Sequence, residues 1–232
     1  MTEIVFSLKS WAAWTPGEGD VECWHGAAMS DASPPMMLRR RISRLGQRTL
    51  RTAWELSGKE PARLIFSSRH GEFGRTLSIM DSLIQETEVS PADFTLSVHH
   101  ALAGLLSIAT ANTEGHTAVS AGAESLFYAL LEGAAYRSEM PEAPVLVAHY
   151  DEPLPAPYDT FGHEGDENVA LALCLDQNGE EFSLSWAPSA EGDPVSRTPG
   201  GQFLGLLDGT SNSTVIVGER LTWTIERANA TA

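Results

Sequence analysis

Strand-like and helix-like stretches alternate along the first two thirds of the chain, and this alternation constrains the fold more than any other feature. "ARLIFSS" (62–68), "TAVSA" (117–121) and "APVLVAHY" (143–150) are short runs rich in apolar and β-branched residues. Helix-period stretches separate them: "PPMMLRRRISRLGQRTLRTAWELSG", "RTLSIMDSLIQE", "SVHHALAGLLSIATAN" and "ESLFYALLEGAAYR". The first places Leu38, Ile42, Leu45, Thr49 and Ala53 on one face, opens on prolines and stops at Gly58. Strands that alternate with helices predict an α/β sheet with helices layered against it. "EIVFSL" (3–8) precedes this block; "NVALALCL" (168–175), "EFSLSWA" (181–187) and "LTWTIER" (221–227) follow it, with a weaker helix signal at "GQFLGLLDG". Two surface loops are expected, at 151–167 and 187–202, the first proline-rich and acidic. No domain boundary is placed between them, because strands on both sides are needed to complete one sheet; residues 1–232 are expected to form a single domain.

With 232 residues, 42% of them hydrophobic and 20% charged, the chain can bury a substantial core. Its 15 Lys and Arg against 31 Asp and Glu, net −16, disfavour phosphate backbones and anionic membranes, so nucleic acid is excluded as an expected partner. No apolar run approaches the ~20 residues of a membrane span, and "MTEIVFSLKSWAAW" lacks the basic and long apolar regions of a secretory signal. A cytoplasmic protein is expected, with Cys23 and Cys174 as reduced thiols.

Seven histidines, at 25, 70, 99, 100, 116, 149 and 163, invite a metal reading, but only His99 and His100 are neighbours, and neighbours on a helix point about 100° apart. No metal or cofactor is expected. The pair is placed near the start of a helix with Ser97 as N-cap candidate. "SSRHGEFG" reads as a tight strand-to-helix turn, since it matches neither a P-loop nor a dinucleotide fingerprint. Arginines 39, 40, 41, 44, 48 and 51 form one basic stripe, with Arg40, Arg44 and Arg48 recurring at i, i+4. Such a stripe is usually a solvated helix face; it also offers a surface to an acidic partner. There is no GxSxG elbow, and no pair of carboxylates stands out as acid and base. In "TAVSAGAESLFYAL" a strand passes through small residues into an apolar helix, the arrangement that presents nucleophiles, yet the corner residue is Glu124. A glutamate there complements the helix dipole without any further role.

"GHTAVSAGAESLFYALLEGA" resembles the β-ketoacyl synthase segment in which the active-site cysteine stands nine positions after a glycine; counted from Gly115, that position is Glu124. "MMLRRRISRLGQRTLRTAWE" and "ARLIFSSRHGEFGRTLSIMDSL" resemble the early synthase helix and the strand and helix after it. "SPADFTLSVHHALAGLLSI" is similar to the Ser-Val-His-Asn-Ala pattern of a short synthase-like family of aryl polyene, type II polyketide pathways, with His100 in place of the asparagine. The resemblance implies a truncated thiolase-like α/β fold, roughly one βαβαβ half plus extra C-terminal strands, with layered helices and a mixed sheet. By this resemblance, the half that supplies the two catalytic histidines of a condensing enzyme is expected to be absent.

It further implies a pseudo-active site at Glu124, with Ala123 and Ser125 beside it, because a carboxylate is a poor acyl acceptor. The chain is then a non-catalytic chain length factor that forms a heterodimer with an active β-ketoacyl synthase and shapes the chain tunnel. Thr117, Ala118, Val119 and Ser120 are implied to pair with the partner, and Ser97, His99 and His100 to lie near interface and tunnel. Arg40, Arg44 and Arg48 are candidates for transient docking of acyl carrier protein. Two alternatives stand beside this reading: a priming decarboxylase acting on malonyl-carrier protein through Glu124, and a stand-alone scaffold or ligand-binding module.

Overall fold

The computed structural model describes residues 2–19, 21–27, 34–57, 61–162 and 166–228. Its elements run β1 (Thr2–Pro16), β2 (Glu22–Gly26), α1 (Met36–Arg39), α2 (Arg44–Leu56), β3 (Arg63–Ser67), α3 (Phe73–Ile84), α4 (Pro91–Leu96), α5 (Ala101–Thr110), β4 (His116–Val119), α6 (Ser125–Glu139), β5 (Val145–Asp151), a 3-10 turn (Tyr158–Phe161), β6 (Val169–Leu175), β7 (Glu180–Pro188), α7 (Pro199–Leu207), β8 (Ser213–Val217) and β9 (Leu221–Arg227). Among the described residues one mixed sheet takes in every strand, in the order β4-β3-β5-β6-β1-β7-β9-β8, with β2 folded back on β1. β3 lies parallel to β4 and β5, while the pairings from β5 to β8 are antiparallel. No helix of the described residues is long and apolar enough to cross a membrane.

Two cores flank the sheet. Leu64, Phe66, Leu146, Ala148, Tyr150 and Ala172 join Leu45, Leu50 and Ala53 of α2 and Leu102 and Leu106 of α5 on one side. Ile65, Val145, Val147, Leu171 and Leu173 join Leu126, Phe127 and Leu130 of α6 and Phe203 and Leu206 of α7 on the other. This is the period-two alternation of strands covered on both faces, and it explains why all seven residues of β5 are buried. In β1, Phe6 and Leu8 serve the second core from even positions, whereas Ala13 serves it from an odd one. The register shift between Leu8 and Ser10 makes the change, since one extra residue reverses which face each side chain meets.

Several expectations are corrected. The single helix expected across Leu38 to Ala53 is two, because Ser43 adopts an extended ψ of 168° and its hydroxyl accepts from Gly46 N–H at 2.8 Å, starting α2 afresh. The same hydroxyl donates to Glu72 Oε1 at 2.7 Å, tying the new N-terminus to α3. The arginine face is not wholly solvated: the Arg48 guanidinium lies 3.6 Å from the Trp14 ring centroid and pairs with Glu22 at 3.1 Å. Arg51 lies over Trp24. Ser97 is no N-cap; it closes the short α4, its hydroxyl donating to Phe94 O, while His100 stands at the N-cap of α5.

Candidate functional site

The carboxyl ends of β3, β4 and β5 lie side by side, as parallel pairing requires, and the polar residues of the chain converge there. From β4 the chain turns through Ser120 to Glu124 into α6. Gly122, with φ +61°, takes the left-handed corner that a side chain would strain. The Ser125 hydroxyl closes the turn, accepting from Ala121 N–H at 2.9 Å and donating to Gly122 O at 2.7 Å. The elbow is built as the sequence suggests.

Its corner residue, however, is turned inward onto the C-terminal hairpin. Glu124 is 1% exposed and accepts from Arg220 N–H (3.3 Å), Leu221 N–H (3.0 Å) and Trp223 Nε1–H (3.1 Å) in the β8-β9 hairpin. Gly218 lets the hairpin approach: a Cβ there would stand 2.3 Å from Glu124 Cγ, inside any permitted contact. The carboxylate is therefore a buried acceptor that docks the C-terminal hairpin onto the N-terminus of α6.

A second polar centre adjoins the elbow. Asp151, at the end of β5, accepts from the Ser68 hydroxyl (3.0 Å) and from the backbone N–H groups of Arg69 (2.9 and 3.0 Å) and His70 (3.2 Å), so "SSRHG" curls around a carboxylate. Gly71 completes the curl with φ +60°, its N–H donating to Ser68 Oγ, and the His99 ring stands where its side chain would be. Two residues back along β5, His149 is 2% exposed. Its Nδ1 lies 3.0 Å from Ser67 Oγ, and its Nε2 lies 3.5 Å from Glu167 Oε2 and 3.7 Å from Asp151 Oδ2. Glu167 is held in turn by Gly201 N–H of α7, at 2.7 Å. Burial pushes the His149 imidazole down, but the contact with Glu167 and the charges of Asp151 and Glu167 outweigh it and hold the pKa above the usual range. His70 is lowered, chiefly by burial. A void of about 20 Å³, room for about one water, opens between Ala123 of the elbow and His70, Asp151 and Glu167.

Among the residues singled out from sequence, Ala123, Glu124 and Ser125 form the elbow. Thr117, Ala118 and Val119 lie on β4 with Ser120 just past it, and among the described residues β4 is an outer strand paired with β3 alone. His99 packs on Gly71, His100 is exposed with its ring 5.5 Å from that of His116, and Ser97 stays on the α4 side. The Arg40 guanidinium reaches Met36 of its own segment, whereas Arg44 and Arg48 line a cleft of about 690 Å³ with Trp14 and Trp24. His163 lies outside the described residues. Sequence reasoning missed the grouping of His149, Asp151 and Glu167, whose ligating atoms all lie within 4.8 Å of one another. The available signal was an apolar strand that ends in Asp151 and a Glu167 that stands two residues before the next apolar strand.

Known proteins give a consistent picture. The family model described as β-ketoacyl synthase, N-terminal domain, matches residues 11–223. Among solved structures, the ketosynthase (ApeO) in complex with its chain length factor (ApeC) from Xenorhabdus doucetiae superposes with a TM-score of 0.75 at 24% identity, covering 95% of this chain and 99% of the matched one. The ishigamide ketosynthase/chain length factor follows at TM-score 0.59 and 12% identity, covering 82% and 69%. A β-ketoacyl synthase from Burkholderia phymatum STM815 gives 0.53 and 15%, covering 81% of this chain and 58% of that one. No curated protein matches in sequence. The mixed sheet with layered helices is thus the thiolase-like ketosynthase fold in a short form.

Proposed function

The chain belongs to the family of β-ketoacyl synthase N-terminal domains, and we propose that within it the protein is a non-catalytic chain length factor, the partner of an active ketosynthase in aryl polyene biosynthesis in the cytoplasm. The observation that carries this reading is the state of Glu124: the elbow where the resemblance places a nucleophile holds a sealed carboxylate with all its hydrogen bonds directed at β8-β9. A carboxylate so engaged neither accepts an acyl chain nor reaches a malonyl group, which weighs against the priming decarboxylase. The full coverage of a similarly short chain in the Xenorhabdus complex supports the same role.

The partner surface follows from the outer edge of the sheet. Among the described residues the outer side of β4 has no strand beside it, and such an edge calls for a covering strand. The preceding α4-α5 segment exposes Phe94, Val98 and Ile108, large apolar side chains that a partner would cover. In this arrangement the partner contributes cysteine and histidines, condenses malonyl units delivered on acyl carrier protein, and this chain stabilises it and bounds the tunnel. Co-expression with the ketosynthase tests the reading: a stable heterodimer is expected, with polyene chain length altered or turnover lost when this chain is omitted. A monomer or homodimer that leaves an equally active ketosynthase behind would identify a stand-alone scaffold instead.

The arginine face offers the surface on which an acidic carrier protein would dock. Exposed Arg40 and Arg44 are free of ion pairs among the described residues, whereas Arg48 is stacked and paired. Reversing Arg40 and Arg44 to glutamate is expected to reduce carrier-dependent turnover about tenfold without moving Tm, since exposed charges carry little stability. Arg48→Glu, by contrast, is expected to lower Tm through its contact with Trp14. Unchanged KM for carrier protein in the double variant would remove this face from the docking path.

A further inference from the structure

The grouping of His149, Asp151 and Glu167 has the construction of a ligand set. An imidazolium bridging two carboxylates by direct hydrogen bonds would draw them to within about 2.7–3.0 Å of its nitrogen. Instead Nε2 stands 3.5 Å from Glu167 Oε2 and 3.7 Å from Asp151 Oδ2. An ion with bonds of about 2.0–2.1 Å to tetrahedrally placed donors separates those donors by roughly 3.4 Å. The observed spacing is close to that edge.

The outer contacts match as well. A metal-bound imidazole donates its other N–H to a fixed acceptor, and ligating carboxylates are themselves hydrogen-bonded. His149 Nδ1 has Ser67 Oγ at 3.0 Å, Asp151 takes the Ser68 hydroxyl and two backbone N–H groups, and Glu167 Oε1 takes Gly201 N–H, which leaves Oε2 turned toward Nε2. The three side chains are buried; His149 and Asp151 stand at the end of β5, and Glu167 lies two residues before β6, whose first residue pairs with Asp151. Asp151 and Glu167 also border the void of about 20 Å³, which has room for about one water as a fourth ligand. Two carboxylates beside one imidazole supply the negative charge that a bound dication needs.

We propose that His149 Nε2, Asp151 Oδ2 and Glu167 Oε2 bind one divalent transition-metal ion, Zn²⁺ by the mixed nitrogen and carboxylate character of the donors, with a water in the adjoining void. The ion clamps the end of β5, the entry to β6 and the start of α7 beside the elbow. This site does not rest on the chain length factor reading, because every ligand comes from this chain.

The test uses the full chain, in whatever assembly it purifies, stripped with a chelator and titrated with Co²⁺. One equivalent is expected to produce the visible absorption of a low-coordinate Co²⁺ centre, which Zn²⁺ then displaces. Glu167→Gln and His149→Gln, with folding checked by circular dichroism, are expected to weaken binding at least about 100-fold, more than loss of an outer contact costs. If either variant fails to fold, nitrogen-15 correlation spectra of the wild-type imidazoles decide: Zn²⁺ must shift His149 Nε2. The absence of a one-to-one Co²⁺ signal, variants that bind as the wild type does, or a His149 resonance unmoved by Zn²⁺ would each overturn the proposal.

Discussion

Replacing Glu124 by alanine is expected to destabilise the fold by about 3 kcal/mol or more, the largest effect of any single side chain at the elbow. Truncation leaves the buried indole N–H of Trp223 and the part-buried N–H of Leu221 without an acceptor, along with the more distant N–H of Arg220. Each buried donor so abandoned costs about 1–3 kcal/mol, and the cavity adds to it. Glu124→Gln keeps one oxygen acceptor in the same volume and is expected to cost about half as much. Urea denaturation of wild type and both variants checks the order. The same series separates architecture from chemistry: if Glu124 served decarboxylation, Gln would abolish CO₂ release although the protein remains folded. Glu124→Cys is expected to gain no acylation, read by intact mass after incubation with an acyl donor. Its thiol would lie in the space between α6 and Trp223, closed to substrate.

The second large effect is expected at the edge of the sheet. Leu64 N–H donates to Gly115 O and Ser68 N–H donates to Val119 O, so the odd-numbered residues of this segment turn their backbone groups toward β3. In a parallel pair a residue's N–H and C=O face the same side, and His116 and Ala118 therefore present theirs outward. Ala118→Pro removes an outward donor and spares the β3 ladder, since proline is tolerated where the missing N–H would face away from the sheet. Association with the ketosynthase is expected to weaken by about 100-fold or more, with the isolated chain's Tm little changed. Val119→Pro is the control, because it strikes the β3 side and is expected to lower Tm instead. Sedimentation or size-exclusion measurements with purified partner read the first effect and thermal melts the second. Unaltered affinity in Ala118→Pro would move the interface off β4 and leave the exposed apolar residues of α4 and α5 as the surface to examine.

What could be read from the sequence divides along a physical line. The strands at 62–68, 143–150, 168–175, 181–187 and 221–227 fall within two residues of β3, β5, β6, β7 and β9, since period-two burial on a two-sided sheet writes itself into the local pattern. The elbow was legible for the same reason: a short strand, small residues and an apolar helix are contiguous. β2 was missed because its residues are at most partly buried, and β8 because it lies at the sheet's far edge with mostly partial exposure. The break at Ser43 was hidden by an apolar face that continues through Ile42 and Leu45, and only the approach of Glu72 shows why the helix restarts there.

The sequence by itself determined the alternation of strands and helices, the acidic balance of 15 Lys and Arg against 31 Asp and Glu, and the presence of a carboxylate at the corner between a short strand and an apolar helix. Tertiary structure alone decided what that carboxylate does. Its partners lie 96, 97 and 99 residues further on, and His149 meets Glu167 only because antiparallel β5 and β6 bring their ends together. The indole beneath Arg48 likewise comes from β1. Periodicity reports the burial of each residue against its near neighbours. The choice of hydrogen-bonding partner is made by sheet register and by which loops close over the strand ends, and these are properties of the assembled fold.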